Sequence, residues 1–348
     1  MGFFSVNLIG KLHILAMKHT LLMGGDYYDE DTESIIAFPD NTSINIFNPV
    51  FGLATRTDFT PDNTISFPYS NKWWGVYIQD QIEVLDNLHL LLGGRYDDAE
   101  WFFNVEGSVP PSEDSAVNPR FGLVYQPWRW LALYGSYSES FEPRGGSQSP
   151  ETSHQYEVGA KTDFMGGRLS ATLAFYQLTK SDIETDNPNT PEDPTDRLTI
   201  GEARSQGIEL DISGQVTDKL SVISSYAYTD IEVLEDIFGR TGNRLENVPL
   251  HAGSVWARYD LTEQFSVGAG VYAVGDRKVD QDNTAQMPRY VRVDAMAAYR
   301  WKIQGSRLTA QVNINNLLDN EYFVTARDRN SIRFGDPITV LGSLRLEY

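Results

Sequence analysis

The chain contains no cysteine, so disulfides, thiolate metal sites and cysteine nucleophiles are excluded together. Long apolar runs are missing as well. A membrane helix needs roughly 18 uncharged apolar residues in succession, and the most apolar early stretch, residues 12–25, is interrupted by His13, Lys18 and His19. Histidine is scarce: His13, His19, His89, His154 and His251 stand singly, with no pair at ligand or catalytic spacing. Positive charge is in deficit, with 28 Lys and Arg against 48 Asp and Glu and a formal net charge of -20. Nucleic-acid binders need a basic footprint, so that class is excluded, and the acidity reads as solvated surface loops. No basic patch followed by a short apolar core opens the chain, so no signal peptide is visible. The acidic stretch from Asp26 to Glu33 lacks the spacing and central glycine of a calcium loop.

What the chain has instead is period-2 alternation. Leu308, Ala310, Val312 and Ile314 interleave with Thr309, Gln311 and Asn313, and Ile208, Leu210 and Ile212 with Glu209, Asp211 and Ser213. Val291, Val293, Ala295 and Ala297 alternate with Arg292 and Asp294, and Phe265, Val267, Ala269 and Val271 with Ser266, Gly268 and Gly270. Such segments are strands with one oily and one polar face. Fifteen are predicted, over 2–15, 18–29, 72–85, 87–103, 116–127, 131–141, 152–164, 168–183, 198–214, 219–231, 246–259, 264–275, 288–302, 306–318 and 337–348. Their connections alternate strictly between short turns and long stretches rich in Asp, Asn, Pro, Gly and Thr, the longest at 30–71. A soluble sandwich has no reason for that asymmetry, whereas an outer-membrane barrel places short turns at one rim and long loops at the other. The expected fold class is all-β, an antiparallel transmembrane β-barrel whose polar face lines the lumen and whose apolar face meets lipid. Aromatics near strand ends, among them Trp73, Trp74, Trp101, Phe102, Trp128, Trp130, Tyr226, Tyr228, Trp256, Tyr259, Tyr299 and Trp301, read as two interfacial girdles.

Several segments resemble the TonB-dependent ferric-siderophore receptor family, in its ferrichrome-type branch. They are Pro150 to Gly159 (PETSHQYEVG), Arg168 to Ser181 (RLSATLAFYQLTKS), Arg204 to Leu210 (RSQGIEL), Asn247 to His251 (NVPLH) and Asn315 to Tyr322 (NNLLDNEY), in the family's order. The family begins with a signal peptide, an energy-coupling box and a plug, followed by a barrel of about 22 strands with a plugged lumen. The resemblance therefore implies that residues 1–348 are one barrel domain, about fifteen strands of an incomplete 22-stranded barrel, with the plug and about seven first strands absent. Parity supports truncation separately, because single-chain bacterial barrels have an even strand number.

The resemblance implies an outer-membrane receptor and transporter for ferric-siderophore complexes, energy-coupled through TonB in the intact protein, and no enzyme. Its substrate is a chelated Fe(III) whose iron stays wrapped, so no cofactor and no direct metal ligand are expected. Aromatic rings suit the chelate's apolar shell and arginine its oxygens. The candidates near the outer rim are Tyr69, Trp73, Trp101, Phe141, Arg144, Tyr322, Phe323, Arg327 and Arg329. For Phe141 and Arg144 the alternative is anchoring of their loop, and for Arg327 and Arg329 it is salt bridging within theirs. Val340, Leu344, Leu346 and the terminal Tyr348 share one phase and resemble the signal by which the barrel-assembly machinery recognises its clients. Expected partners are thus a ferric siderophore, that machinery, outer-membrane lipid and lipopolysaccharide, and TonB only through the absent N-terminal part. The competing function is a passive porin-like channel, which would show stable uniform conductance in a bilayer.

Overall fold

The computed structural model describes residues 1–37, 64–103, 112–143, 149–186, 197–199 and 201–348. They form the strands β1 (Gly2–Ile14), β2 (Met17–Ala37), β3 (Thr64–Leu85), β4 (Leu88–Phe103), β5 (Ser112–Trp128), β6 (Leu131–Glu142) and β7 (Glu151–Phe164). There follow β8 (Leu169–Ser181), β9 (Glu184–Asp186), β10 (Arg197–Thr199), β11 (Glu202–Gln215), β12 (Leu220–Glu235), β13 (His251–Asp260) and β14 (Phe265–Val274). The last are β15 (Arg277–Lys278), β16 (Gln286–Met287), β17 (Tyr290–Ile303), β18 (Ser306–Asn315), β19 (Phe323–Asp328), β20 (Ser331–Phe334) and β21 (Thr339–Glu347). Fifteen of them make one antiparallel sheet in the order β1-β2-β3-β4-β5-β6-β7-β8-β11-β12-β13-β14-β17-β18-β21, and each strand pairs only with its neighbours in that order. The other six form three two-stranded ribbons inside the long connections.

The register fixes the faces. Val255, Val271 and Val293 stand side by side across β13, β14 and β17, and Ala297, Val312 and Gly342 across β17, β18 and β21. Of these outward positions Val255, Val271 and Val312 stay exposed, at 48%, 45% and 45%, because no second layer among the described residues covers them. The opposite positions are polar: Ser254 beside Tyr272 beside Arg292, and Asp260 beside Ser266. Polar-in and apolar-out is the arrangement of a wall between lipid and an aqueous lumen. Residues such as Glu209, Asp211, Arg292 and Asp294 fall on the lumen side, as the alternation predicts.

Short turns all lie at one rim. Gln304 and Gly305 take positive φ of 46° and 89°, the conformation that matches the twist of a two-residue hairpin, and Leu15 and Ala16 do so without any glycine. Trp128 and Trp130 stack at 5.5 Å beside Phe164 at this rim, and Tyr299 lies against Trp301 at 4.7 Å. At the other rim Trp74 meets Tyr96 at 5.4 Å and Tyr137 meets Tyr156 at 4.9 Å. These are the two girdles. Trp256 does not belong to them: it lies flat over the lumen side of β14, where a Cβ on Gly270 would meet its ring at 2.3 Å and one on Gly268 at 3.0 Å. Trp73 and Trp101 also face the lumen, as the pairing of Trp73 with Ala99 and of Trp101 with Asn71 requires.

Several predicted boundaries change: β13 begins at His251 and not at 246, β11 at Glu202 and not at 198, β5 at Ser112 and not at 116, and β12 runs on to Glu235. The largest changes are in β2 and β3. β2 and β3 run to 21 and 22 residues, paired without interruption from Lys18–Glu83 to Ala37–Thr64. At about 3.4 Å per residue such a ribbon is roughly 70 Å long, far more than the roughly 25 Å apolar band needs, so it projects beyond the long-loop rim. Residues 30–37 and 64–71, predicted as loop, are its projecting part.

Candidate ligand-binding site

On the lumen face near the long-loop rim, β2 to β6 assemble an aromatic and polar cluster. Asp97, 3% exposed, accepts hydrogen bonds from Trp73 Nε1 at 2.8 Å, Arg95 Nε at 2.7 Å and Asn118 Nδ2 at 3.3 Å. The other two guanidinium nitrogens of Arg95 grip both oxygens of Asp26 at 2.7 Å, a planar fork on a planar carboxylate. Room for that guanidinium exists because residue 75 is glycine: a Cβ there would stand 2.2 Å from Arg95 Nη2. Tyr77 lies beneath the Arg95 cation, 5.5 Å from its ring centroid, and donates to Asn7. The network fixes the Trp73 indole, whose ring meets Phe141 edge-on at 5.9 Å. Further out, Tyr69 and Trp101 meet edge-on at 5.8 Å, and Asn71 Nδ2 donates to the Tyr69 hydroxyl at 3.1 Å. Trp73, Tyr77, Arg95, Asp97, Asn118 and Phe141 line a cavity of about 460 Å³.

The structure thus brings together Tyr69, Trp73, Trp101 and Phe141. It places Tyr322, Phe323, Arg327 and Arg329 apart, in the connection between β18 and β21, and Arg144 lies outside the described residues. Tyr322 is 7% exposed, stacked on Tyr290 at 4.5 Å, and a Cβ on Gly335 would clash with its ring. Phe323 packs on Phe334 at 5.0 Å and against a small core of Val279, Met287 and Ala326. Arg329 Nε donates to Asp280 Oδ2 at 3.2 Å and to Thr284 Oγ1 at 2.9 Å, the salt bridging that was its alternative. Arg327 is exposed, and no described residue pairs with it.

These contacts weld three connections of the long-loop rim into one unit. Arg277, 4% exposed, donates to Val324 O at 2.5 Å and Phe323 O at 2.6 Å, and burial pushes its guanidinium below the usual arginine value. Asn247 clamps Ala326 from both sides: Nδ2 donates to its carbonyl and Oδ1 accepts from its amide, each at 2.7 Å. Asn283 does the same for Arg244, at 2.7 Å and 3.1 Å. Asn316, 1% exposed, ties the unit to the barrel wall: its amide donates to Asp294 Oδ1 at 2.9 Å and its Nδ2 to Asn320 O at 2.9 Å and Asp336 O at 3.1 Å. The segments Asn247 to His251 and Asn315 to Tyr322 are therefore loop anchors.

Sequence reasoning missed Asp26, Arg95, Asp97 and Asn118. The available signal was Arg95 and Asp97 two residues apart, hence on one face, within a strand also carrying Trp101. Among the described residues no group of three His, Asp or Glu could hold a metal ion. Val340, Leu344 and Leu346 stand exposed on the outward face of β21, and the terminal Tyr348 after it is fully exposed.

The family model described as TonB dependent receptor-like, beta-barrel, matches residues 3–317. The metal-pseudopaline receptor of Pseudomonas aeruginosa is 34% identical over 99% of this chain and 50% of its own length. The ferrioxamine B receptor of Salmonella typhimurium is 30% identical over 96% of this chain and 48% of its own length. The crystal structure of the ferric-catecholate import receptor of Escherichia coli K12 superposes with a TM-score of 0.84 at 20% identity, over 99% of this chain and 54% of that one. The chain spans about half the length of the curated relatives it matches. With the alternating wall, the asymmetric rims and these matches in hand, the chain belongs to the TonB-dependent receptor β-barrel family of the bacterial outer membrane.

Proposed function

We propose that the chain is the main part of the barrel of a ferric-siderophore receptor, and that Tyr69, Trp73, Trp101 and Phe141 form its wall-side contact for the chelate. The observation that carries this is the aromatic cluster at the lumen's outer mouth, in which Asp97, itself held by Arg95, fixes the Trp73 indole against Phe141, with Tyr69 and Trp101 paired further out. Rings facing an aqueous lumen contribute nothing to a lipid interface, and they offer a chelate apolar surface at small entropic loss. The metal-pseudopaline and ferrioxamine B receptors among the relatives support a chelated metal as substrate. Fe(III) enters as cargo inside its chelator, and the residues assembled here touch only the shell. By this reading, energy coupling through TonB and the plug lie outside residues 1–348. The apolar outward face of Val340, Leu344 and Leu346, with the aromatic Tyr348 after it, is the signal for the barrel-assembly machinery.

Ferric hydroxamate, ferric catecholate and metal-pseudopaline chelates titrated against the purified chain test this. One of them is expected to quench tryptophan fluorescence saturably, with W73A and W101A each weakening it about three- to tenfold, the range of one aromatic contact. Equal binding by wild type and both variants would overturn the site. The chain alone is expected to support no energy-dependent ferric-siderophore uptake.

A further inference from the structure

The cavity beneath Trp73 and Phe141 carries a charged group at its lower end. Besides the residues already named, it is lined by Leu22, Gln79, Arg120, Glu139 and Ser140. Gln79, Gly93, Arg120 and Ser138 stand abreast on the lumen face of β3, β4, β5 and β6. Along β4 that rung is four residues from Asp97, from Gly93 to Asp97, or roughly 14 Å toward the short-turn rim at about 3.4 Å per residue. The stem of Arg120 passes beside Gly93, where an added Cβ would meet its Cγ at 3.3 Å, and Nη1 reaches Gln79 Oε1 only at 3.5 Å.

Among the lumen-facing arginines from β4 to β17, Arg120 is the exception. Arg95 holds Asp26 at 2.7 Å, Arg258 holds Asp260 at 2.9 Å, Arg292 holds Asp294 at 2.9 Å, and Arg300 stands 3.8 Å from Asp260. For Arg120 the long contact to Gln79 is the sole hydrogen bond among the described residues, and no carboxylate pairs with it. The two acids of the cavity are engaged elsewhere: Asp97 accepts from Trp73, Arg95 and Asn118, and Glu139 accepts from the Tyr137 hydroxyl. A guanidinium is a planar fork that takes a carboxylate through two parallel hydrogen bonds. A chelate resting on Trp73 and Phe141 keeps its metal-binding oxygens well above this rung, so a group that meets Arg120 is carried on a side arm.

We propose that Arg120 is a specificity-determining residue of this site: it grips a carboxylate on a side arm of the chelate, and the substrates are metal chelates bearing a carboxylate beyond the groups that hold the metal. This rests on the reading of the lumen cluster as the wall-side contact for the chelate. The test compares two linear ferric trihydroxamates by tryptophan quenching of the purified full chain. One is ferrioxamine B, which ends in an acetyl group, and the other is its analogue with succinyl in place of that acetyl, so the two differ by one carboxylate. In a chain of net charge -20, long-range electrostatics alone weakens binding of the more negative chelate. Wild type is nevertheless expected to bind the succinyl analogue about tenfold more tightly, the range of one charge-assisted contact, and that comparison needs no variant to fold. R120Q should lose the preference while binding ferrioxamine B as wild type does, which also shows that it folds. R307Q, at a lumen-facing position on β18, should keep the preference in full. Equal binding of the two chelates by wild type, a preference that survives in R120Q, or one lost equally in R307Q would each overturn the role of Arg120 and leave the aromatic contact standing. Quenching by neither chelate would overturn both.

Discussion

Replacing Asn316 with alanine isolates what holds the loop unit on the barrel. The side chain donates to the carbonyls of Asn320 and Asp336 and accepts the amide of Asn320 at 3.0 Å, and its backbone sits at a φ of 53° that alanine tolerates poorly. Three hydrogen bonds at about 1 kcal/mol each, plus about 1 kcal/mol for a non-glycine residue in the left-handed region, give a loss of about 3 to 4 kcal/mol. That loss is local, because Asn316 touches the connection of residues 319–336 and the end of β18 while the sheet ladder beside it is untouched. The ribbon of β19 and β20 should open about 10²- to 10³-fold more often, at a factor of ten per about 1.4 kcal/mol. Tryptic cleavage at Arg327, Arg329 and Arg333 reads this opening directly. N316A should be cut there faster by that factor, with the remainder of the barrel resistant. Unchanged cleavage at those three arginines, or acceleration spread evenly over the chain, would refute the reasoning.

Three further outcomes follow from the geometry. Gly207→Ala should destabilise the barrel by about 1–3 kcal/mol in urea unfolding from bilayers, because its Cβ would stand 2.2 Å from Tyr228 O, whereas Gly10→Ala, with nothing within 4 Å, should be close to neutral. Ala269→Arg, outward at the middle of β14, should cost about 2–4 kcal/mol in the same assay, and Gln311→Arg on the lumen face should cost little. The bond from the Thr284 hydroxyl, with help from Arg329, holds the Asp280 carboxyl below its ordinary value of 3.8, so its stabilisation of the loop unit is complete above that value and is lost as pH falls through the depressed one. Hydrogen exchange in residues 276–289 and 323–334 should therefore accelerate below pH 3.8, with no such acid step in D280N.

All fifteen strands of the sheet were legible because each carries a full run of alternation, a pattern that depends only on having one wet and one oily side. The projecting ends of β2 and β3 were not, because above the membrane neither face must be apolar and the sequence there, rich in Asp, Glu, Ser and Thr, loses its period. The ribbons β15–β16 and β19–β20 are too short for a period to show. Trp256 was misassigned because an aromatic near a strand end looks the same on either face; the glycines at 268 and 270, two residues apart on the facing strand, were the available sign that a large ring lies over them. Of the site candidates, Tyr69, Trp73 and Trp101 share one parity with the polar residues around them, and that parity could be read in advance. Tyr322 and Arg329 are committed to contacts whose partners, Gly335 and Asp280, lie in loops that no periodicity connects.

The strict neighbour-to-neighbour order of the sheet bears on how it is built. Every ladder closes a connection between consecutive long strands, so the closure entropy at each step stays small, and no step waits for a distant segment to be made. Such a meander can grow one hairpin at a time, each new strand templated by the free edge of the last. The longest interval in that sequence is residues 38–63, between β2 and β3, and it is bridged by the longest ladder in the molecule. Where closing the loop takes most time, twenty consecutive pairs reward the encounter.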